Sequence, residues 1–347
     1  MPKVISRNKL LMLSLMISAL ILFLLDLFFG SVHIPLNSII NIIIGQGNEK
    51  ESWEIIVLSN RLPKALAAII CGSALSVSGL QMQTLFRNPL ADPYILGISS
   101  GAGLGVAIFI MGLSIFGISI SSLYFLGSYG LILFSFLGSL MVLFVLLASI
   151  YRLKDIMTVL ILGIMLGSII TALISIMQYF SNDSQLKSFI MWTMGDLSSI
   201  SINQIFIITP LLVLGLLSSF IISKQLNLYL LGEDYAKTMG LNVPRFQLIV
   251  VIITALLTGI VTAYCGPIGF IGIIVPHLSR LFSKTSNHKI LIPLSIILGI
   301  NVLLFADIIS GLPNSEIVLP INAISSFIGI PIIIWIIFKN KRITNVG

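Results

Sequence analysis

The chain has 347 residues, 57% of them hydrophobic and only 9% charged, with a net charge of +7 and a mean hydropathy of +1.12. A soluble domain carries roughly a quarter charged residues, so these charges cannot cover a globular surface. A cytosolic enzyme, a nucleic-acid binder and a disordered chain are all excluded, and the long uncharged runs must face lipid.

In chain order the apolar runs are 10–29, 61–83, 94–113, 123–150, 157–180, 203–223, 246–265, 268–282, 290–309 and 318–338. All but one reach the roughly 20 residues that cross a bilayer, and in lipid they must be helices, because an open strand edge would leave its backbone unsatisfied. The first run follows Lys3, Arg7 and Lys9. It is longer than a signal-peptide core and lacks a small-x-small cleavage site, so it reads as an uncleaved span. The exception, 268–282, is short and interrupted by Gly269, Gly272 and Pro276. Counting it gives an all-α, polytopic membrane protein of ten spans, an even number that puts both basic termini on one side.

The charges test that topology. Lys50, Arg61, Lys64 and Lys187 fall outside. Lys3, Arg7, Lys9, Arg87, Arg152, Lys154, Lys224, Lys237, Arg245, Arg280, Lys284, Lys289, Lys339, Lys341 and Arg342 fall inside. This strong bias predicts that both termini lie in the cytoplasm. Glu49, Glu51, Glu54, Asp183, Asp196 and Glu316 lean outward.

The spans carry almost no ionisable groups. Asp26 and Asp307 are expected near the outer ends, within reach of water. A cation-coupled transporter usually needs an intramembrane carboxylate or unwound backbone, and this chain offers little of the former. No HExxH zinc pair and no phosphate-binding Gly-rich loop occurs, and Asp196 has no partner aspartate at mid-depth. Cys71 and Cys265 both sit in apolar runs and make no disulfide framework. No catalytic, metal-binding or cofactor set is expected on this chain, so energy for uphill movement must come from another polypeptide.

Three polar constellations stand out. Within the inner segment 224–245, Leu231-Gly232-Glu233-Asp234-Tyr235-Ala236-Lys237-Thr238-Met239-Gly240 predicts a short helix. Gly232 serves as N-cap, Glu233 and Asp234 sit at the dipole's positive end, and Gly240 suits the left-handed C′ position. Two turns of isolated helix are unstable in water, so it packs either on its own membrane domain or in a partner's groove. Arg87-Asn88-Pro89-Leu90-Ala91-Asp92-Pro93 predicts a stiff inner turn, with Asp92 as N-cap and Pro93 starting the next helix. It can hold a constriction or be an ordinary tight turn. The third, Gly266 to Arg280, has prolines at 267 and 276 breaking the helix at each end, with His277 and Arg280 emerging at the inner surface. A lone His there is more often a hydrogen-bonded structural residue than a base. Such interrupted segments point to a transport pathway. A Gly72-x6-Gly79 pattern echoed in Gly259-x6-Gly266 gives a weak hint of duplication.

Taken together, these stretches resemble the FecCD-type permease family, the membrane subunits of ABC importers for iron–siderophore complexes, haem and cobalamin. The matching residues are Arg61-Leu62-Pro63-Lys64 through Gly72 and Gly79, Arg87 to Pro93, Leu96-Gly97, Ser99-Ser100-Gly101-Ala102, and Met191-Trp192-Thr193-Met194-Gly195. They continue through Leu231-Gly232-Glu233 with Ala236 and Gly240, Gly266 to Arg280, His288, Ala306-Asp307, Leu319-Pro320-Ile321 and Ile328-Gly329-Ile330-Pro331.

The resemblance implies the BtuC-like importer permease fold in a bacterial or archaeal inner membrane: a homodimer of ten-span subunits, lined chiefly by the fifth span, with the pathway along the two-fold axis. It also implies two cytoplasmic ABC ATPases, carrying ATP and Mg, docked on Leu231, Gly232, Glu233, Ala236 and Gly240. An extracytoplasmic substrate-binding protein would meet Arg61 and Lys64. Asn88, Pro89 and Leu90 would form a cytoplasmic gate, and Gly266, Gly269, Gly272, Pro276, His277 and Arg280 the broken-helix motif. Two positions depart from the family. Gly311 stands where many relatives carry a further basic residue, and Asp155-Ile156-Met157-Thr158 is more apolar than the gate of some relatives. The expected activity is ATP-driven uptake of a metal chelate by alternating access. Ferric siderophore is the first cargo, followed by cobalamin and haem. An ion-coupled secondary transporter is the competing class.

Overall fold

The structure, a computed structural model, describes residues 2–45, 49–112, 127–153, 155–311 and 318–339. Lys154, Glu316, Lys341 and Arg342, used above for topology, lie outside them. In chain order the helices are α1 (Pro2–Phe28), α2 (Leu36–Ile44), α3 (Glu51–Leu85), α4 (Ile98–Gly112), α5 (Gly127–Arg152), α6 (Ile156–Phe180) and α7 (Asp183–Thr193). They continue as α8 (Ile202–Ile221), α9 (Ser223–Leu230), α10 (Glu233–Thr238), α11 (Val243–Cys265), α12 (Ile271–Ser283), α13 (His288–Ser310) and α14 (Ile321–Lys339). No strand occurs among the described residues.

Among the described residues, 7 helices are long and apolar enough to cross a membrane, and α4, α12 and the apolar part of α14 are shorter. The span boundaries need three corrections. The second begins at Glu51 rather than 61, because a π-helical turn over Val57–Arg61 joins the amphipathic Glu51–Ile56 turn to the apolar run. The third begins at Ile98. Asp92 and Pro93 start only a 3-10 turn, which Gly97 ends at φ 76 before the α-helix begins. In the eighth, Pro276 does not break the helix. Its missing N–H frees the Gly272 carbonyl four residues back, and Gln83 Nε2 on α3 donates to that carbonyl at 3.3 Å and to Ile273 at 3.2 Å.

α3 is the central helix, packed by α13, α11, α12, α8 and α9. Small residues explain why an apolar helix can sit there: Ala65, Ala67, Ala68, Gly72, Ala74, Ser76 and Gly79 are all buried. With no hydrophobic gain to be had between helices in lipid, close backbone approach supplies the packing energy. Gly72 meets Gly299 of α13, and Gly79 meets the Gly272 carbonyl of α12, so closely that a methyl group at either position would overlap backbone. The two glycine pairs of the suspected echo are not equivalent, since Gly79 lies mid-helix whereas Gly266 caps α11 at φ 71. Polar ties fix the register. Gln81 donates to Ser219 of α8 at 2.8 Å and accepts from Thr254 of α11 at 3.0 Å. Asn301 of α13 donates to the Leu15 carbonyl of α1 at 3.0 Å.

Candidate functional site

The polar constellations fall at two ends of the bundle. Arg87, α9, α10, Arg280 and the start of α13 gather at one, the basic end. Arg7 donates to the Ser283 carbonyl at 2.9 Å, which brings the start of α1 there too.

At the basic end, α10 forms as the residues dictate. Gly232 is the N-cap at φ 122, and the Ala236 N–H bonds back to its carbonyl at 2.9 Å. Gly240 takes φ 86. Its N–H bonds to the Lys237 carbonyl at 2.9 Å, while the Leu241 N–H reaches Ala236 at 3.0 Å. This is the paired closure of a Schellman motif, which needs a residue without Cβ strain at C′. Lys237 pairs with Glu233 at 3.1 Å and with Asp234 at 3.7 Å. The Glu233 contact, foremost, holds its ammonium above the usual lysine range. Ala236 is fully buried and seats the helix on its own bundle. Leu231, Tyr235 and Met239, spaced by four residues, are 64%, 48% and 58% exposed. One side of α10 is thus anchored, and an apolar stripe is presented outward.

α9 is an element the sequence reading missed. It buries Ser223, Leu226 and Tyr229. The Tyr229 hydroxyl accepts from Gln247 Nε2 at 3.2 Å, and its ring packs on Phe246 of α11 with centroids 5.1 Å apart. Burial pushes the phenol above its ordinary range. Asn227 accepts from the His288 backbone N–H at 2.8 Å and lies 2.8 Å from its ring Nδ1, and His288 Nε2 is 2.8 Å from the Thr84 hydroxyl.

The turn 87–93 lies beside α9. Asn88 Oδ1 accepts from the Leu90 N–H at 2.9 Å, closing an Asx turn. The side chains of Asn88 and Leu90 are exposed. Pro89 offers its carbonyl to His277 at 2.9 Å, the structural role expected of that histidine. The expectation that His277 and Arg280 emerge at the surface is corrected. Both are half-buried, and Arg280 turns inward to donate to Gln83 Oε1, the same glutamine that serves the carbonyl freed by Pro276. Gly269 donates to Asn322 Oδ1 of α14 at 3.0 Å.

At the opposite end the expected free cations are already engaged. Arg61 is 8% exposed and donates to the carbonyls of Leu27 at 2.8 Å, Phe28 at 3.0 Å and Val32, closing the end of α1. Lys64 pairs with Asp307 at 3.0 Å. Asp307 is 1% exposed, which corrects the expectation that it reaches water, and Asp26 of α1 lies beside it. A carboxylate inside a bundle needs a counter-charge, which the Lys64 ammonium supplies to Asp307, while Arg61 is held inward by the carbonyls at the end of α1. Gly311 faces the Lys64 ammonium, and among the described residues no further cation stands beside it. Next to the pair is a cavity of about 410 Å³, lined among others by Trp192, Met194, Asp196, Gln204 and Tyr264. The Met191–Gly195 motif forms part of its wall at the end of α7. Cys265 lines this cavity as well, and the Cys71 and Cys265 thiols, both free, lie 3.3 Å apart. Among the described residues no group of three metal-binding side chains occurs.

This arrangement has parallels. Residues 18–339 match the FecCD transport family. The chain is 35% identical to the vitamin B12 import system permease protein BtuC of Klebsiella pneumoniae, covering 83% of this chain and 82% of that one. It is 33% identical to the hemin transport system permease protein HmuU of Yersinia pestis, covering 94% and 96%. An inward-facing structure of a metal-chelate type ABC transporter superposes with a TM-score of 0.81 at 26% identity, covering 95% of this chain and 99% of the other. The chain therefore belongs to the FecCD transport family and is a multi-pass membrane permease of the ABC transporter type.

Proposed function

We propose that this chain is the permease subunit of an ATP-driven importer of a metal chelate, working as a homodimer with the pathway on its two-fold axis. Two separate ABC ATPases dock on α10 at the basic end, which faces the cytoplasm. An extracytoplasmic binding protein delivers cargo to the opposite end, and the two states of the dimer alternate access. The observation that carries this reading is α10 itself, anchored by Ala236 and closed by Gly240, with Leu231, Tyr235 and Met239 turned outward. A helix this short with an exposed apolar stripe needs a partner's groove. The turn Asn88–Leu90 is the gate in this account. Arg61 and Lys64 contribute to docking only by exchanging internal partners, so the binding protein meets an end with few free cations. The cargo is a ferric siderophore. Haem and cobalamin are the alternatives that the relatives' names bring forward.

Glu233 substitution tests the docking claim. Glu233→Gln removes a charge-assisted contact, and coupled uptake is expected to fall about tenfold while the ATPase still co-purifies. Unchanged uptake would count against docking at α10. Competition among a ferric siderophore, haem and cobalamin in the same uptake assay identifies the cargo class.

A further inference from the structure

α10 and the gate turn do not touch each other through any hydrogen bond described above, yet both meet at one residue, Tyr229. The Tyr229 carbonyl accepts the Gly232 N–H at 3.2 Å, and Gly232 is the N-cap of α10. The Arg87 guanidinium donates to the same carbonyl at 3.4 Å and sits over the Tyr229 ring, 5.0 Å from its centroid. Arg87 itself is exposed and holds φ 47, a left-handed conformation uncommon for a residue with a side chain. Strain of this kind persists only where surrounding contacts over-determine it. Tyr229 is 1% exposed and wedged against Phe246 and Gln247 at the start of α11, so it moves only as part of a packed unit. On its other flank the turn is held by His277 through Pro89.

We infer that Tyr229 is a positioning residue that couples α10 to the gate turn: displacing the helix carries the Tyr229 ring and carbonyl with it, and Arg87 transmits that displacement to Asn88–Leu90. The inference rests on the permease reading above and adds to it the link between the motor's docking site and the gate. The two faces of Tyr229 have separate tasks. The hydroxyl anchors to α11 through Gln247, whereas the ring face and carbonyl hold Arg87.

The test uses the complete complex of permease, ATPase and binding protein in proteoliposomes, with ATP hydrolysis and cargo uptake measured on the same preparation. Arg87→Gln, at an exposed position, removes the cation from the ring without disturbing the core. Uptake is expected to fall about tenfold, the scale of one lost cation–π contact and hydrogen bond. Hydrolysis and ATPase co-purification should stay within about twofold of the unsubstituted complex, well inside that tenfold loss. Tyr229→Leu should uncouple in the same way, and Tyr229→Phe, which keeps the ring face, should retain uptake. If Arg87→Gln imports cargo like the unsubstituted complex, the inference is overturned and the permease reading stands. It is overturned equally if Tyr229→Phe loses as much as Tyr229→Leu, or if hydrolysis and uptake fall in parallel. If the unsubstituted complex shows no ATP-driven uptake, the permease reading itself fails and takes the inference with it.

Discussion

Replacing Lys64 with methionine is expected to destabilise the protein by about 3 kcal/mol, the scale of breaking a buried ion pair by removing one partner. The side chains of Lys64 and Asp307 are 18% and 1% exposed, and they lie 3.0 Å apart. Without the ammonium, Asp307 is left beside a second carboxyl, Asp26, and Arg61 is committed to the carbonyls of Leu27, Phe28 and Val32. Replacing both partners should behave differently from replacing one. Lys64→Met with Asp307→Leu fills the same volume without a stranded charge, and such exchanges are often neutral or stabilising. Thermal unfolding of the detergent-purified variants tests this. The single variant should melt well below the parent and the double variant close to it. A Lys64→Met protein as stable as its parent would show that the ammonium is a free outward cation after all.

Gly79→Val should prevent accumulation of folded protein. The added side chain would overlap the Gly272 carbonyl, which is backbone and cannot swing aside. Relieving the overlap means separating α3 from α12, and with them the contacts of Gln83 to Gly272, Ile273 and Arg280. Overpacking alone costs roughly 1–3 kcal/mol, and the stranded Gly272 carbonyl and Arg280 guanidinium add to that. Ser78→Ala is the control. Its hydroxyl donates within its own helix, to the Leu75 carbonyl at 2.9 Å, so its loss should be mild. Membrane yield and monodispersity in detergent would show the contrast. Wild-type yield of Gly79→Val would mean that the α3–α12 contact is looser than its geometry.

How far the sequence could be read follows from where each signal is stored. α10 was legible in full, because its start, stop and dipole charges are local: Gly232, Glu233, Asp234 and Gly240 say where a helix begins and ends. The long spans were legible from hydropathy alone. α7 was missed, although Asn182 and Gln185 form a capping box that sequence displays. The apolar-run criterion looks past a helix of mixed polarity, and the amphipathic α9 was lost for the same reason. The engagement of Arg61 and Lys64 could not be read, because their partners Leu27, Phe28, Val32 and Asp307 are far along the chain. Pro276 misled for a related reason. A proline announces a lost hydrogen bond, and only the fold shows that Gln83 restores it. The meeting of Arg87 with Tyr229 likewise joins two residues that lie 142 positions apart in the sequence.

The central claim is that this chain carries no motor and receives its energy through α10. It is tested most directly by reconstituting the purified chain in sealed proteoliposomes and measuring uptake of a radiolabelled ferric chelate under separate energy sources. Uptake against a gradient is expected only when the ATPase, the binding protein and ATP are all present, with no response to an imposed sodium or proton gradient. Accumulation by the chain alone, driven by either ion gradient, would contradict it.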